Sequence, residues 1–313
     1  MYVRNLKDIN IRDHINVGGK AANLGELCAL KVNIPMGFCI TYNAYEEFVR
    51  ENGINEFIQR CLNENLNGRL SLEECSKCIL ERFLRGSIPI NIEIEIIKEY
   101  RTLGKTVSVA IRSSASMEDL EEASFAGQQD TFLNISGDFN VFQYVKRCWA
   151  SLWSPRAIDY RKKRNYEDNN IQMAVLIQKM ISPDAAGVVF TCNPINFQKE
   201  EVLVNSTYGL GEAVASGAVS PDMYIYDINK KRITYRKKGG KEYRYINSDL
   251  GIKKVLNSSR MKHKYSLNYL NVLRLVKVCK KIESRFNCPQ DIEWGIVKGK
   301  IYVVQSRPVT SKK

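Results

Sequence analysis

Residues 107–134 read VSVAIRSSASMEDLEEASFAGQQDTFLN. The segment opens as an apolar strand, 107–112, ending on Arg112, and closes as a second strand, DTFLNI. Alternation and β-branched residues favour strands at both ends. About eighteen small and polar residues separate them, long for a structureless connection, and loops of that length commonly carry function. Two readings of Arg112 stay open. At a strand end beside small polar residues it can face a cleft and fork onto phosphate, or it can pair at the surface with Glu118, Asp119 or Glu121. The stretch 125–131, FAGQQDT, either folds over phosphates as a flexible cover or is an ordinary turn before the strand.

Towards the N-terminus, Gly18-Gly19-Lys20 opens the helical stretch AANLGELCAL. Glycines let backbone amides approach an anion, a helix start adds partial positive charge, and Lys20 adds a whole one. A plain turn with a solvated lysine fits equally, because the P-loop spacing is missing. IPMGFCIT reads as a strand and YNAYEEFV as a helix. The stretch 71–85 starts with the capping-box pair Ser71 and Glu74. The stretch 88–100 contains INIEIEI, which alternates like a strand, yet Pro89 and the length favour a helix.

Towards the C-terminus, AVLIQKM, GVVFT and EVLVNST are strands, MYIYD with RITYRK is a hairpin, and 267–286 is a long amphipathic helix. DIEWGIV and KIYVVQSR close the chain as a hairpin over Lys298-Gly299. Its register decides its chemistry. A two-residue turn sets Glu293 beside Val304, whereas a three-residue loop sets Glu293 opposite Gln305 and Asp291 opposite Arg307. In the second case hard oxygen ligands share one face with an arginine, which suits Mg²⁺; a surface salt-bridge ladder is the alternative. Strands mixed with helices indicate α/β or α+β.

The chain has 313 residues, 44% of them hydrophobic and 26% charged. That composition excludes disorder and fibrous classes, and the length suggests two lobes. There is no apolar run long enough to span a membrane and no apolar leader at the start, so a cytoplasmic protein without a membrane is expected. Nine scattered cysteines read as reduced thiols, and Cys75 with Cys78 lacks the second pair that a zinc site needs. A formal charge of +13 favours anionic partners. Basic runs such as 161–164 and 236–238 raise nucleic acid as one, but the common reader motifs are missing, so it is not the expected partner.

The blocks VGGKAANLGEL, IPMGFCIT, VAIRSSASMEDLEEASFAGQQDTFLN, LIQKMISPDAAGVVFTCNP, GLGEAVASGAVSPD and DIEWGIVKGKIYVVQSRPVT occur in this order. Together they resemble the N-terminal ATP-binding domain shared by phosphoenolpyruvate synthase, pyruvate phosphate dikinase and rifampin phosphotransferase. The resemblance runs from about residue 17 to residue 310. It implies an ATP-grasp fold, with lobes at 1–180 and 181–313 and the nucleotide between them. By motif, Lys20 and Arg112 would bind the ATP phosphates. Gly127, Gln128 and Thr131 would cover them. Gln178, Lys179, Met180 and Ile181 would meet the adenine edge with backbone groups, and Glu212 would reach the ribose. Glu293 and Gln305 would hold Mg²⁺, and Arg307 the phosphate in transfer.

The chemistry so implied is unusual. A histidine on a separate swivelling domain attacks the β-phosphorus of ATP, AMP leaves, and the β-phosphate later passes to a final acceptor that the sequence does not identify. His14 and His263 are the only histidines, and neither has the glycine-rich context of the phosphohistidine. A histidine-bearing partner, in cis or in trans, is therefore expected. A self-sufficient kinase or ligase acting on a diffusible acceptor is the alternative, and would yield ADP.

Overall fold

Apolar alternation builds an antiparallel sheet in each of two units of the chain. The computed structural model describes residues 1–115, 131–164, 171–194, 196, 198–248 and 251–309. The first unit comprises Met1–Gly25 and Met36–Met180, the second Glu26–Pro35 and Ile181–Lys313. A single cut after residue 180 would miss the exchange of Glu26–Pro35. Physical ties explain that exchange: the Val303 amide donates to Asn33 O at 2.9 Å, Lys281 Nζ to Leu30 O at 2.7 Å, and Arg285 Nε to Glu26 at 2.7 Å.

In the first unit the elements run β1 (Val3–Asn5), α1 (His14–Ala29), β2 (Gly37–Ile40), α2 (Tyr42–Glu51), α3 (Ile54–Leu66), α4 (Leu72–Arg85), α5 (Ile90–Leu103), β3 (Val109–Ser114), β4 (Thr131–Ile135), α6 (Asp138–Ala150), α7 (Pro155–Lys163) and β5 (Ala174–Lys179). The last residues of α1 already belong to the second unit. The sheet order is β1-β2-β5-β3-β4. One sheet face contributes Phe38, Ile40, Val109, Ile111, Val175 and Ile177 to a core shared with Phe48, Phe83, Ile96 and Trp149 from the helices. Each such side chain contributes roughly 1.5–3 kcal/mol when fully buried. The ambiguous INIEIEI run is helical. Ile92, Ile96, Tyr100 and Leu103 recur at helical spacing and are buried, while Ile90 and Ile94 face water. The Ser71–Glu74 capping box forms in both directions.

The second unit continues with β6 (Ala185–Phe190), β7 (Glu201–Tyr208), α8 (Glu212–Ala215), β8 (Asp222–Asp227), β9 (Arg232–Lys237), β10 (Tyr243–Ser248), β11 (Gly251–Leu256), α9 (Ser259–His263), α10 (Tyr269–Phe286), β12 (Gln290–Val297) and β13 (Lys300–Pro308). Six strands form the order β13-β12-β6-β7-β8-β9, and β10 pairs with β11 in a two-stranded sheet whose Tyr245 also bridges to Gly209. α10 packs on β12 and buries Val272, Leu275, Val276, Cys279 and Ile282. An ion pair fixes the segment around β8. Lys241 and Asp222 are both fully buried and in contact, and Asp222 also accepts from the Gly239 and Ser266 amides. Among the described residues no helix is long and apolar enough to cross a membrane.

Candidate functional site

Strand alternation sorts the first sheet into two faces. Val109 and Ile111 point into the core, so Ala110, Arg112 and Ser114 point the other way. Register then places Thr131 directly opposite Arg112 on β4, and Gln178 opposite Ala110 on β5. Arg112, Ser114, Thr131 and Gln178 thus share the face that the core leaves unused. Arg112 is 8% exposed. Gln178 is 2% exposed, and neither its amide oxygen nor its amide nitrogen has a hydrogen-bond partner. Burying both ends of an amide unpaired costs about 1–3 kcal/mol per group, so such a side chain points to a missing ligand or water.

The glycine turn is built onto the same strand. α1 is interrupted at Gly18, whose φ of 72° and ψ of 168° are not helical. A Cβ there would lie 2.0 Å from Ser114 O, so only glycine fits. Ser114 Oγ donates to Val17 O at 2.7 Å and accepts from the Ala21 amide at 3.1 Å. Lys20 Nζ reaches Ser113 O at 3.1 Å. Lys20 and Arg112 are therefore held at one end of β3. Ser114 is the residue that sequence reading passed over, and its signal was the Ser-Ser pair after the strand.

Two of the backbone N–H groups expected at the adenine edge are already engaged. The amides of Lys179 and Met180 already donate to Met36 O and Ser108 O, at 2.8 and 2.9 Å, and Lys179 Nζ donates to Leu103 O. Both amides are engaged because β5 is a central strand. At this end of the strand the Gln178 side-chain amide is buried without a hydrogen-bond partner. Ile181 falls in the second unit, where its carbonyl accepts from Asn247. Gly127 and Gln128 lie outside the described residues.

In the second unit the terminal hairpin resolves its register by a route that neither sequence alternative contained. The turn has two residues, Lys298 and Gly299, with φ of 47° and 77°. Both values are positive, as a type I′ hairpin turn requires. A β-bulge next to Glu293 then skips Val304, so Trp294 pairs with Val303 while Glu293 pairs with Gln305 and Asp291 with Arg307. Asp291 accepts from Arg307 Nε at 2.9 Å and from a terminal nitrogen at 2.8 Å, which fixes the guanidinium plane. Burial pushes the Asp291 carboxyl up; Arg307 opposes that shift and Glu293 adds to it. Gln305 is 6% exposed. Glu212 is exposed in the first turn of α8.

A glutamate and a glutamine oxygen on neighbouring strands fit Mg²⁺, which takes one or two protein oxygens and completes its shell with water or phosphate. No cluster of three or more His, Cys, Asp and Glu able to hold a metal occurs among the described residues. Cys75 and Cys78 lie on α4, Cys75 inside the core. His14 touches Ile11 O and is exposed, as is His263.

Residues 14–313 match the family described as pyruvate phosphate dikinase, AMP/ATP-binding domain. The chain is 40% identical to a probable phosphoenolpyruvate synthase of Archaeoglobus fulgidus, over 98% of this chain and 41% of that protein. It is 37% identical to rifampicin phosphotransferase of Bacillus cereus, over 99% of this chain and 36% of that protein. Against phosphoenolpyruvate synthase of Pyrococcus furiosus the identity is 35%, over 100% and 44%. The chain spans less than half the length of these curated relatives. Match and alignments cover nearly every residue described above, and the chain belongs to the pyruvate phosphate dikinase AMP/ATP-binding domain family.

Proposed function

We propose that this chain binds Mg·ATP and delivers the β-phosphate to a histidine carried by another domain or subunit, releasing AMP. The buried, unpartnered amide of Gln178 carries the reading. Its donor and acceptor match the donor and acceptor on an adenine edge, the pairing that a glutamine amide makes with that base. Thr131, Gly127 and Gln128 would cover the phosphates, and Lys20 and Arg112 would neutralise them. Glu293 and Gln305 would hold Mg²⁺, which supplies charge neutralisation on the phosphate oxygens. Arg307, held flat by Asp291, would meet the group in transfer. Such fixed charges act without reorganising as charge develops, which is the main demand of phosphoryl transfer.

In the step itself a histidine nitrogen bonds to the β-phosphorus as the bond from that phosphorus to the α–β bridging oxygen breaks. The electron pair and the negative charge leave on AMP, and the β- and γ-phosphates stay together on the histidine as a pyrophosphoryl group. His14 and His263 are exposed and in no such setting, so the nucleophile is expected from a partner.

Titration calorimetry with Mg·ATP tests the binding, and AMP release in the presence of a histidine-bearing partner tests the transfer. Lys20→Ala, Arg112→Ala and Glu293→Ala should each lower transfer by roughly a hundredfold. An unaltered melting curve would show that the fold is kept. No heat of binding at millimolar nucleotide would sink the reading. ADP as product, with an acceptor-dependent rate in the isolated chain, would replace it by a self-sufficient kinase.

A further inference from the structure

The Cys75-x-x-Cys78 pair takes no part in the nucleotide chemistry, and no metal cluster forms around it among the described residues. The helical hairpin adds a third thiol to it. α3 and α4 are joined by residues 67–71 and pack on each other. The Arg69 and Leu70 amides both donate to Glu64 O, at 2.9 and 3.3 Å, which reverses the chain. In an antiparallel hairpin, residues equidistant from the turn come level with one another. That rule brings Ile54 level with Phe83 and Ile58 with Ile79, and all four are buried. It brings Cys61 level with the interval between Cys75 and Cys78.

A contact across the hairpin fixes one flank of this seam. The Arg82 guanidinium of α4 lies over the Phe57 ring of α3, 5.8 Å from its centre. Cys61 stands one turn after Phe57, and Cys78 one turn before Arg82. Residues one turn apart share a helix face, so Cys61 and Cys78 form the next rung of the same ladder. Exposure falls along the trio. Cys78 is partly exposed, Cys61 is 7% exposed and Cys75 is fully buried. The thiols also sense one another. Burial pushes the Cys61 thiol up, and a charge on Cys78 pushes it further. Burial pushes Cys75 up to about 11, with Cys61 and Cys78 adding to the shift.

We infer that Cys61 and Cys78 are a thiol pair that a small-molecule disulfide oxidises to a bridge between α3 and α4. Cys78 is the thiol that the reagent reaches. Its sulfur, as the thiolate, bonds to one sulfur of the reagent. The reagent's S–S bond breaks, and its other half leaves as a thiolate. Cys61 then loses its proton, and its sulfur bonds to that of Cys78 and expels the second half. Two electrons and the two cysteine protons end on the reagent, which leaves as two thiols. Cys75 stays a bystander. It lies beside Cys78 on one helix, where the two Cβ bonds run alongside rather than towards each other. The bridge closes a short loop and so restricts the unfolded chain.

The test treats the folded full chain with oxidised glutathione and reads it by non-reducing peptide mapping and by thermal melting. The wild type should yield peptides joined through Cys61 and Cys78, separable by dithiothreitol, and should melt a few degrees higher when bridged. Cys61→Ser should stop at a glutathione adduct on Cys78, with no rise in melting temperature. Cys75→Ser should still bridge. Should Cys61→Ser fail to fold, Cys78→Ser, at the partly exposed position, should give neither bridge nor adduct on Cys61. A wild type that carries glutathione on Cys78 without bridging would overturn the inference. So would a bridge from Cys78 to Cys75, or a Cys78 left untouched. A bridge that lowers the melting temperature would do the same, because the helices would then have to move to make it.

Discussion

The first unit carries 22 Lys and Arg against 22 Asp and Glu, whereas the second carries 25 against 12. The whole excess of +13 thus belongs to the second unit, and residues 228–264 alone hold thirteen basic residues against two acidic ones. The polar faces of the two sheets run the other way. The neutral unit presents Arg112 near Lys20, and the basic unit presents Asp291, Glu293 and Gln305. Bulk charge and site charge are therefore separate properties. Surface lysines act over a Debye length of about 8 Å and can steer a polyanion in. Groups on the sheet faces act at contact distance, where geometry decides. A carboxylate inside a basic unit is well placed to accept a phosphate only with a cation to bridge them, as Mg²⁺ does.

The sharpest way to break this comparison is to remove the ion pair that organises the basic unit. Asp222→Ala leaves Lys241 charged, buried and unpaired, and should cost about 3–5 kcal/mol. Hydrogen exchange should place the loss in β8, β10 and the start of α10. An unchanged denaturation midpoint would mean that Lys241 finds water. Gly18→Ala strikes the neutral unit at its site. It forces a Cβ onto Ser114 O in a left-handed conformation, costs about 1–3 kcal/mol, and should weaken ATP binding at least tenfold by moving Lys20. A stability loss without an affinity loss would separate the glycine turn from the nucleotide.

Arg307→Gln probes the oxygen-rich face through pH. Burial already raises the Asp291 carboxyl, and losing Arg307 raises it further. An acid whose folded pKa lies above its unfolded one weakens the fold as pH rises through that range. The variant should therefore melt a few degrees lower near neutral pH. That deficit should shrink as pH falls below the raised carboxyl range. A deficit that stays constant or grows on acidification would show that Arg307 does not act by stabilising the Asp291 anion. The smallest effect expected is Ser71→Ala, remote from both faces, which loses the capping box and about 1 kcal/mol. Nucleotide affinity should not move; if it does, the helices of the neutral unit are coupled to its site.

Elements with a strong period or a local signal were legible from sequence: the capped α4, the proline-started α7, the long α10 and the final hairpin. Others were not. β1 has three residues, too few for any period, and β10 with β11 sits in a lysine-rich stretch whose alternation is weak. Lys20, Arg112, Glu293 and Arg307 stand out in the sequence as charged residues beside glycines or within apolar strands, and Gln305 only through its register opposite Glu293. The Gln178 side chain was not legible, because a polar residue inside a strand carries no mark until a fold leaves it buried and unpaired.

By itself the sequence determined the α+β class, the family, and the kinds of group present: cations near the start and an acid, an amide and an arginine near the end. Residue type and order suffice for that. Tertiary structure alone decided that Glu293 faces Gln305, since a bulge at Val304, and not a longer turn, restores the pairing. It also decided that the Lys179 and Met180 N–H groups are taken by backbone carbonyls while the buried Gln178 side chain is left unpartnered. The reason is common to both. Register and hydrogen-bond saturation depend on which strands become neighbours, and that is settled by burial across the whole sheet.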